Sequence, residues 1–208
     1  VVSALRVIAP ELPFSVNCVE IEGNLQTFSF DGFRIEAFKV NHSVLCYGYS
    51  LSIDRNGRFN RDKAIADGIP MLLWNRLQKG ETIEQDGRTY TPDMVLGEAR
   101  KGLKVTYCTD TRPTDSIVTA ARGSDLLILE GMYGESDKLC KAKENKHMTM
   151  YEAARIAKQA KVPELWLTHY SPSLLRPEEY MGEVKKIFPN AVAPRDGKTV
   201  ELRFSDEQ

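Results

Sequence analysis

The sequence predicts an α/β protein built on one largely buried sheet. Three observations carry that reading. From residue 103 onward, strand-like and helix-like stretches alternate, the pattern of a sheet covered by helices. His42, Asp110 and His169 each stand just past a strand-like apolar run, where side chains from one sheet edge can converge. With 208 residues, 42% of them hydrophobic, the chain suffices for one substantial core or two small ones.

The first elements in order are short apolar alternations at Val16–Ile21, Gln26–Ser29, Arg34–Val40 and Cys46–Ile53, which predict a β-meander. Asp31-Gly32 between two of them is a hairpin turn. After Asp54-Arg55-Asn56-Gly57 the pattern changes. Asp62–Asp67 and Met71–Gln78 read as short helices around the stop at Gly68-Ile69-Pro70. Residues 55–104 hold ten basic against seven acidic side chains and many turn residues, so they predict an insertion or arm with little core of its own. Beyond it come a strand at 103–108, a helix at about 114–122, a strand at 125–130, a helix at 149–160, a strand at 164–168, a helix at about 177–187 and a closing strand at 199–204.

Composition excludes several classes. Apolar runs such as Met71-Leu72-Leu73-Trp74 fall far short of the roughly 18 residues of a membrane span, and no basic start leads into an apolar run as in a signal peptide. Cys18, Cys46, Cys108 and Cys140 form no C-x-x-C pair, which argues against a disulfide framework or a cysteine zinc site and for a reducing cytoplasm. The net charge of −1 does not by itself suggest a nucleic-acid partner. Lys138 to Lys161, however, carries seven Lys or Arg against two Glu, a candidate phosphate-binding face whose alternative is a solvated surface.

Histidine occurs only three times, as Asn41-His42-Ser43, Lys146-His147-Met148 and Thr168-His169-Tyr170. Imidazoles and a carboxylate are ligand types for zinc or manganese, and one carboxylate can bridge two ions. Taken singly, each of these residues also has a plain reading as a hydrogen-bonded histidine or a turn aspartate. Thr149-x-x-Glu152 is a capping box opening the helix at 149–160. His147 therefore lies just ahead of a helix N-terminus, where backbone N–H groups and Lys146 favour an anion to which it can give a proton.

Lys39-Val40-Asn41-His42-Ser43, Tyr107-Cys108-Thr109-Asp110-Thr111-Arg112-Pro113, His147-Met148-Thr149-Met150-Tyr151-Glu152 and Leu167-Thr168-His169-Tyr170-Ser171-Pro172, in that order, resemble the successive motifs of the ribonuclease Z family. These are endonucleases that remove 3′ trailers from precursor tRNA. The resemblance runs over nearly the whole chain and implies a metallo-β-lactamase-like αβ/βα sandwich. It also implies that His42 and His169 are terminal ligands, one to each of two zinc ions, and that Asp110 bridges them. A hydroxide between the metals would attack the phosphodiester, and His147, oriented by Glu130, would protonate the departing 3′ oxygen. Lys143, Lys146, Thr149 and Arg112 fall on the substrate side, and an arm at about 55–98, within which Lys63–Gly80 is similar to the family's gripping element, would hold the tRNA through backbone and shape. A homodimer is the expected assembly.

The family's His-x-His-x-Asp-His motif has no counterpart in these residues, which leaves each ion two protein ligands where three or four are usual. The expectation is a single domain forming the C-terminal portion of a longer enzyme, incomplete at its N-terminus. The remaining sheet should then expose an apolar face. Leu129-Glu130-Gly131-Met132 stands where the family commonly has His-Glu-Ala-Thr, and the arm lacks the usual Gly-Pro cluster. Two alternatives stay open: a hydrolase of the same fold acting on a small substrate, and a non-catalytic RNA-binding or self-associating module.

Overall fold

The molecule is organised by a seven-stranded mixed sheet, antiparallel over its first four strands and parallel beyond them. It is described from a computed structural model covering residues 2–9, 11–134 and 138–205. Strands β1 (Leu25–Phe30), β2 (Phe33–Lys39) and β3 (Tyr47–Arg55) form an antiparallel meander, joined to β6 (Arg100–Cys108) with Tyr49 opposite Tyr107. Asp31-Gly32 makes the expected hairpin, between the partners Phe30 and Phe33. From β6 the sheet turns parallel through β7 (Leu126–Glu130), β8 (Leu165–Thr168) and β9 (Ala191–Val192). The crossovers contain α4 (Asp115–Ala121), then α5 (Leu139–Glu144) with α6 (Met150–Ala160), then α7 (Met181–Ile187). Such crossovers carry each strand end back to the same edge of the sheet.

These helices build the core on one face. Phe38, Cys108, Leu127, Leu129, Leu165 and Leu167 meet Ile117, Ala121, Ala153, Ala157 and Val184 there, all buried. Small residues along α6 let the helix approach the strands closely, and its start is fixed by the capping box, with Thr149 accepting from the Glu152 amide at 3.2 Å. Polar groups on the buried side are matched: the Thr106 hydroxyl lies 2.8 Å from those of both Ser50 and Ser124. The opposite face is different. Alternation places Tyr49, Leu51 and Tyr107 there, and they remain 41%, 41% and 46% exposed, as expected of an uncovered apolar face.

Between β3 and β6 lies a small unit of α2 (Arg61–Ala66), α3 (Met71–Gln78) and the hairpin β4 (Ile83–Gln85)–β5 (Arg88–Tyr90). Contrary to expectation it has its own core, in which Ala64, Ile69, Leu73, Leu77, Ile83, Tyr90, Val95 and Leu96 are buried together. Five of these lie outside the two predicted helix segments Asp62–Asp67 and Met71–Gln78, so counting those helices alone understates the apolar set. Trp74 closes its edge, donating to the Ile69 carbonyl at 2.9 Å.

Other expectations are corrected. Val16–Ile21 is not a strand; β1 is the sheet edge, and its ladder partner is β2. Residues 199–204 are also irregular, because β9 pairs with the outer side of β8. The helix at 177–187 begins as a 3-10 turn, Pro177–Tyr180. Helices α1 (Val2–Ile8) and α5 and the β4–β5 hairpin are additional. No helix of the described residues is long and apolar enough to cross a membrane.

Candidate metal centre

Four strand ends and the segment leading into α6 bring five predicted site residues together. His42 follows β2, and its neighbour Asn41 is tied to the loop after β6: the Arg112 amide donates to the Asn41 carbonyl at 2.9 Å, and the Asn41 amide to the Thr111 hydroxyl at 3.1 Å. Asp110 and His169 both take left-handed backbone, φ 55° and 53°. Non-glycine residues adopt that conformation at a cost, and here it reverses the chain as it leaves β6 and β8.

Two imidazoles converge on one oxygen. Asp110 Oδ1 lies 3.9 Å from His42 Nε2 and 3.6 Å from His169 Nε2. These spacings exceed a hydrogen bond but approach the roughly 3.3–3.5 Å between two ligands of a tetrahedral zinc with bonds of about 2.0–2.2 Å. His42 Nδ1 is 3.1 Å from the Lys146 carbonyl, which can only accept, so the proton sits on Nδ1 and Nε2 offers its lone pair.

His147 is held differently. Its Nδ1 lies 2.7 Å from Oε2 of Glu130, while Oε1 of that fully buried carboxylate accepts from the Thr111 amide at 2.8 Å. Glu130 also stands 3.5 Å from His169 Nδ1. The His147 ring centroid is 5.0 Å from that of His42 and 5.7 Å from that of His169. Burial pushes the Glu130 carboxyl up to about 7, against the lowering effects of the Thr111 amide and of His169. Burial, then the neighbouring His42, lowers the His147 imidazole. His42, Asp110 and His147 offer ligand atoms within 4.8 Å of one another, as do Glu130, His147 and His169.

The substrate-side candidates divide. Lys143 is exposed on α5. Lys146 reaches back to the centre, donating from Nζ to the His42 carbonyl at 3.2 Å. Thr149 is only 2% exposed and its hydroxyl is spent on the helix cap, which removes it from substrate contact. Arg112 likewise points inward, onto Glu152. Thr111 and Asn41, which sequence reasoning passes over, join the loops; their only signal was their place next to Asp110 and His42. Beside His42 opens a cleft of about 730 Å³ lined by Asn24, Lys39, Asn41, Leu45 and Ser116 among others.

A mixed sheet with histidines and an aspartate gathered at its strand ends fits a hydrolase of the metallo-β-lactamase fold with a metal-dependent site. A model of the β-lactamase superfamily domain matches residues 76–170, a span that holds Asp110, Glu130, His147 and His169. The chain is 59% identical over 208 residues to ribonuclease Z of Lachnoclostridium phytofermentans, 59% over 207 residues to that of Agathobacter rectalis and 46% over 207 residues to that of Clostridium kluyveri. Nearly all of this chain is covered, and 68% of each relative. Human tRNase Z, short form, shares the fold, with a TM-score of 0.52 at 20% identity over 87% of this chain and 47% of that one.

The chain belongs to the ribonuclease Z family, endoribonucleases among the metal-dependent hydrolases that process tRNA.

Proposed function

We propose that the cluster forms part of the hydrolytic centre of a precursor-tRNA 3′-trailer endonuclease that uses zinc. One observation carries the assignment of roles. Two imidazoles turn free Nε2 atoms toward a single oxygen of Asp110, while the third histidine spends its Nδ1 on a buried carboxylate. His42, Asp110 and His169 are the metal-holding set, and their nitrogen and oxygen donors suit zinc. A divalent ion in such a site supplies Lewis acidity and lowers the pKa of water.

The chain's own groups do the rest. Glu130 holds the His147 ring by Nδ1, which leaves Nε2 to give a proton to the departing 3′ oxygen of the RNA when the imidazole is doubly protonated. Thr111 keeps Glu130 in place through its amide. Lys143 and Lys146 supply positive charge near the scissile phosphate, and residues 55–98 act as an arm of the one domain, contacting the tRNA body through its backbone. The names of the relatives support RNA as substrate. The uncovered apolar sheet face supports a homodimer, and the cytoplasm is the compartment that fits four free cysteines.

The test pairs elemental analysis with cleavage of a precursor tRNA, on the unaltered chain and on Asp110→Ala, His169→Ala and His147→Ala. Zinc should be present in the unaltered chain, fall in the first two variants and stay in the third, whose turnover should drop about 10²–10⁴-fold. Loss of zinc in His147→Ala would reassign His147 as a ligand. Absence of metal from the unaltered chain would overturn the proposal. Hydrolysis of small phosphodiesters without RNA cleavage would replace the substrate.

A further inference from the structure

Arg112 stands two residues past Asp110, and its side chain is only 15% exposed. Its guanidinium makes a two-pronged contact with Glu152, one prong at 3.0 Å from Nη1 and the other from Nη2. Nη1 also donates to the backbone carbonyl of His147 at 2.5 Å. Glu152 is itself 11% exposed and accepts from the Thr149 amide at 3.0 Å, so the fork grips the first turn of α6. Through its own amide Arg112 holds the residue before His42. One side chain and its backbone thus touch the segments that carry His42, Asp110 and His147.

We infer that Arg112 is a positioning residue for His147, a strut between the loop after β6 and the segment leading into α6, and not a contact to RNA phosphate. A phosphate contact needs an exposed, uncompensated charge, whereas this one is enclosed and neutralised by a carboxylate. A planar fork is well matched to bracing: two nitrogens fix Glu152 while one of them also reaches a carbonyl, a geometry that a lysine cannot reproduce. Glu130 fixes the His147 ring from one side and Arg112 fixes its backbone from the other. The proton donor is therefore located by two independent attachments, which transition-state geometry demands.

Arg112→Lys and Arg112→Ala test this. Hydrogen exchange should become faster across residues 144–149 in both variants, with the strands unchanged. This part needs no activity. The kinetic part rests on the endonuclease reading: turnover on precursor tRNA should fall roughly 10–100-fold, the usual cost of losing a supporting contact, with KM and its salt dependence held. Lysine should fail to rescue, because charge alone is not what the site uses. If lysine restores turnover, or if alanine raises KM and flattens the salt slope by about one phosphate contact, Arg112 binds RNA and the strut is wrong. Unchanged exchange at 144–149 overturns it as well. If alanine does not fold, the lysine variant decides alone. An unaltered chain that cleaves no RNA would count against the endonuclease reading, leaving exchange to judge the strut.

Discussion

At the scale of single residues, neighbours in the site assign different work to like side chains. Of three histidines, two have Nε2 facing Asp110, and the third has its Nδ1 closest to Glu130, at 2.7 Å against 3.5 Å for His169. Replacing Glu130 with Gln keeps the shape but presents an amide N–H or a weaker acceptor to His147, so single-turnover cleavage should slow by about two orders of magnitude or more while the fold survives on circular dichroism. Glu152 gives a pH signature. Burial acts to raise its carboxyl, but hydrogen bonds from Arg112 and the Thr149 amide outweigh burial and hold it below the usual glutamate value. A lowered folded-state value means that the stabilisation is whole above the ordinary glutamate range and drains away as pH falls through the lowered value. Melting temperatures of the unaltered chain and Glu152→Gln, compared across pH, should differ most near neutrality and converge in acid. Much at this scale was legible: the capping box announced Glu152, and strand-end placement announced His42, Asp110 and His169. The direction of the Arg112 side chain was not. A basic residue beside a site reads equally as substrate contact or internal strut until its partner, 40 positions along the chain, is located.

Elements were legible where local signals agreed with tertiary pairing. The alternation of β2 and β3 and the caps of α6 met both conditions. Val16–Ile21 has the right alternation, yet alternation without a ladder partner makes no strand. The opposite failure is β4–β5, whose turn residues Asp86 and Gly87 have φ 52° and 74°, the pair of positive values that a two-residue type I′ turn requires. The Asp-Gly signal stood in the sequence, but its flanking strands have three residues each, too few to show a period. The separate core of this unit has an energetic consequence. Leu77 is fully buried inside it, so Leu77→Ala should cost about 2–5 kcal/mol there. Because the loss falls on a distinct cluster, hydrogen exchange should rise through residues 59–96 and remain slow in β7 and β8.

On the scale of the whole molecule, the sheet has one face under helices and one bearing Tyr49, Leu51 and Tyr107 in the open. Contiguous exposed apolar surface of this kind binds apolar probes and partners. Leu51→Lys should therefore weaken 1-anilinonaphthalene-8-sulfonate fluorescence with a change in stability within about 0.5 kcal/mol, the range of surface substitutions; unchanged dye binding would mean that the face is covered in solution. The exact exposed set required the register that sets Tyr49 against Tyr107. The left-handed turns at Asp110 and His169 reach further, into the order of events during folding. Each depends on a strand end being already in place, and the three residues around the shared oxygen come from β2, β6 and β8, far apart along the chain. No early, local piece can assemble them, since long loops must close first. Ion capture by these residues, on the reading proposed above, would thus be a late event that reports a finished sheet. By mass action, an ion that recognises only the finished arrangement would hold the molecule in it.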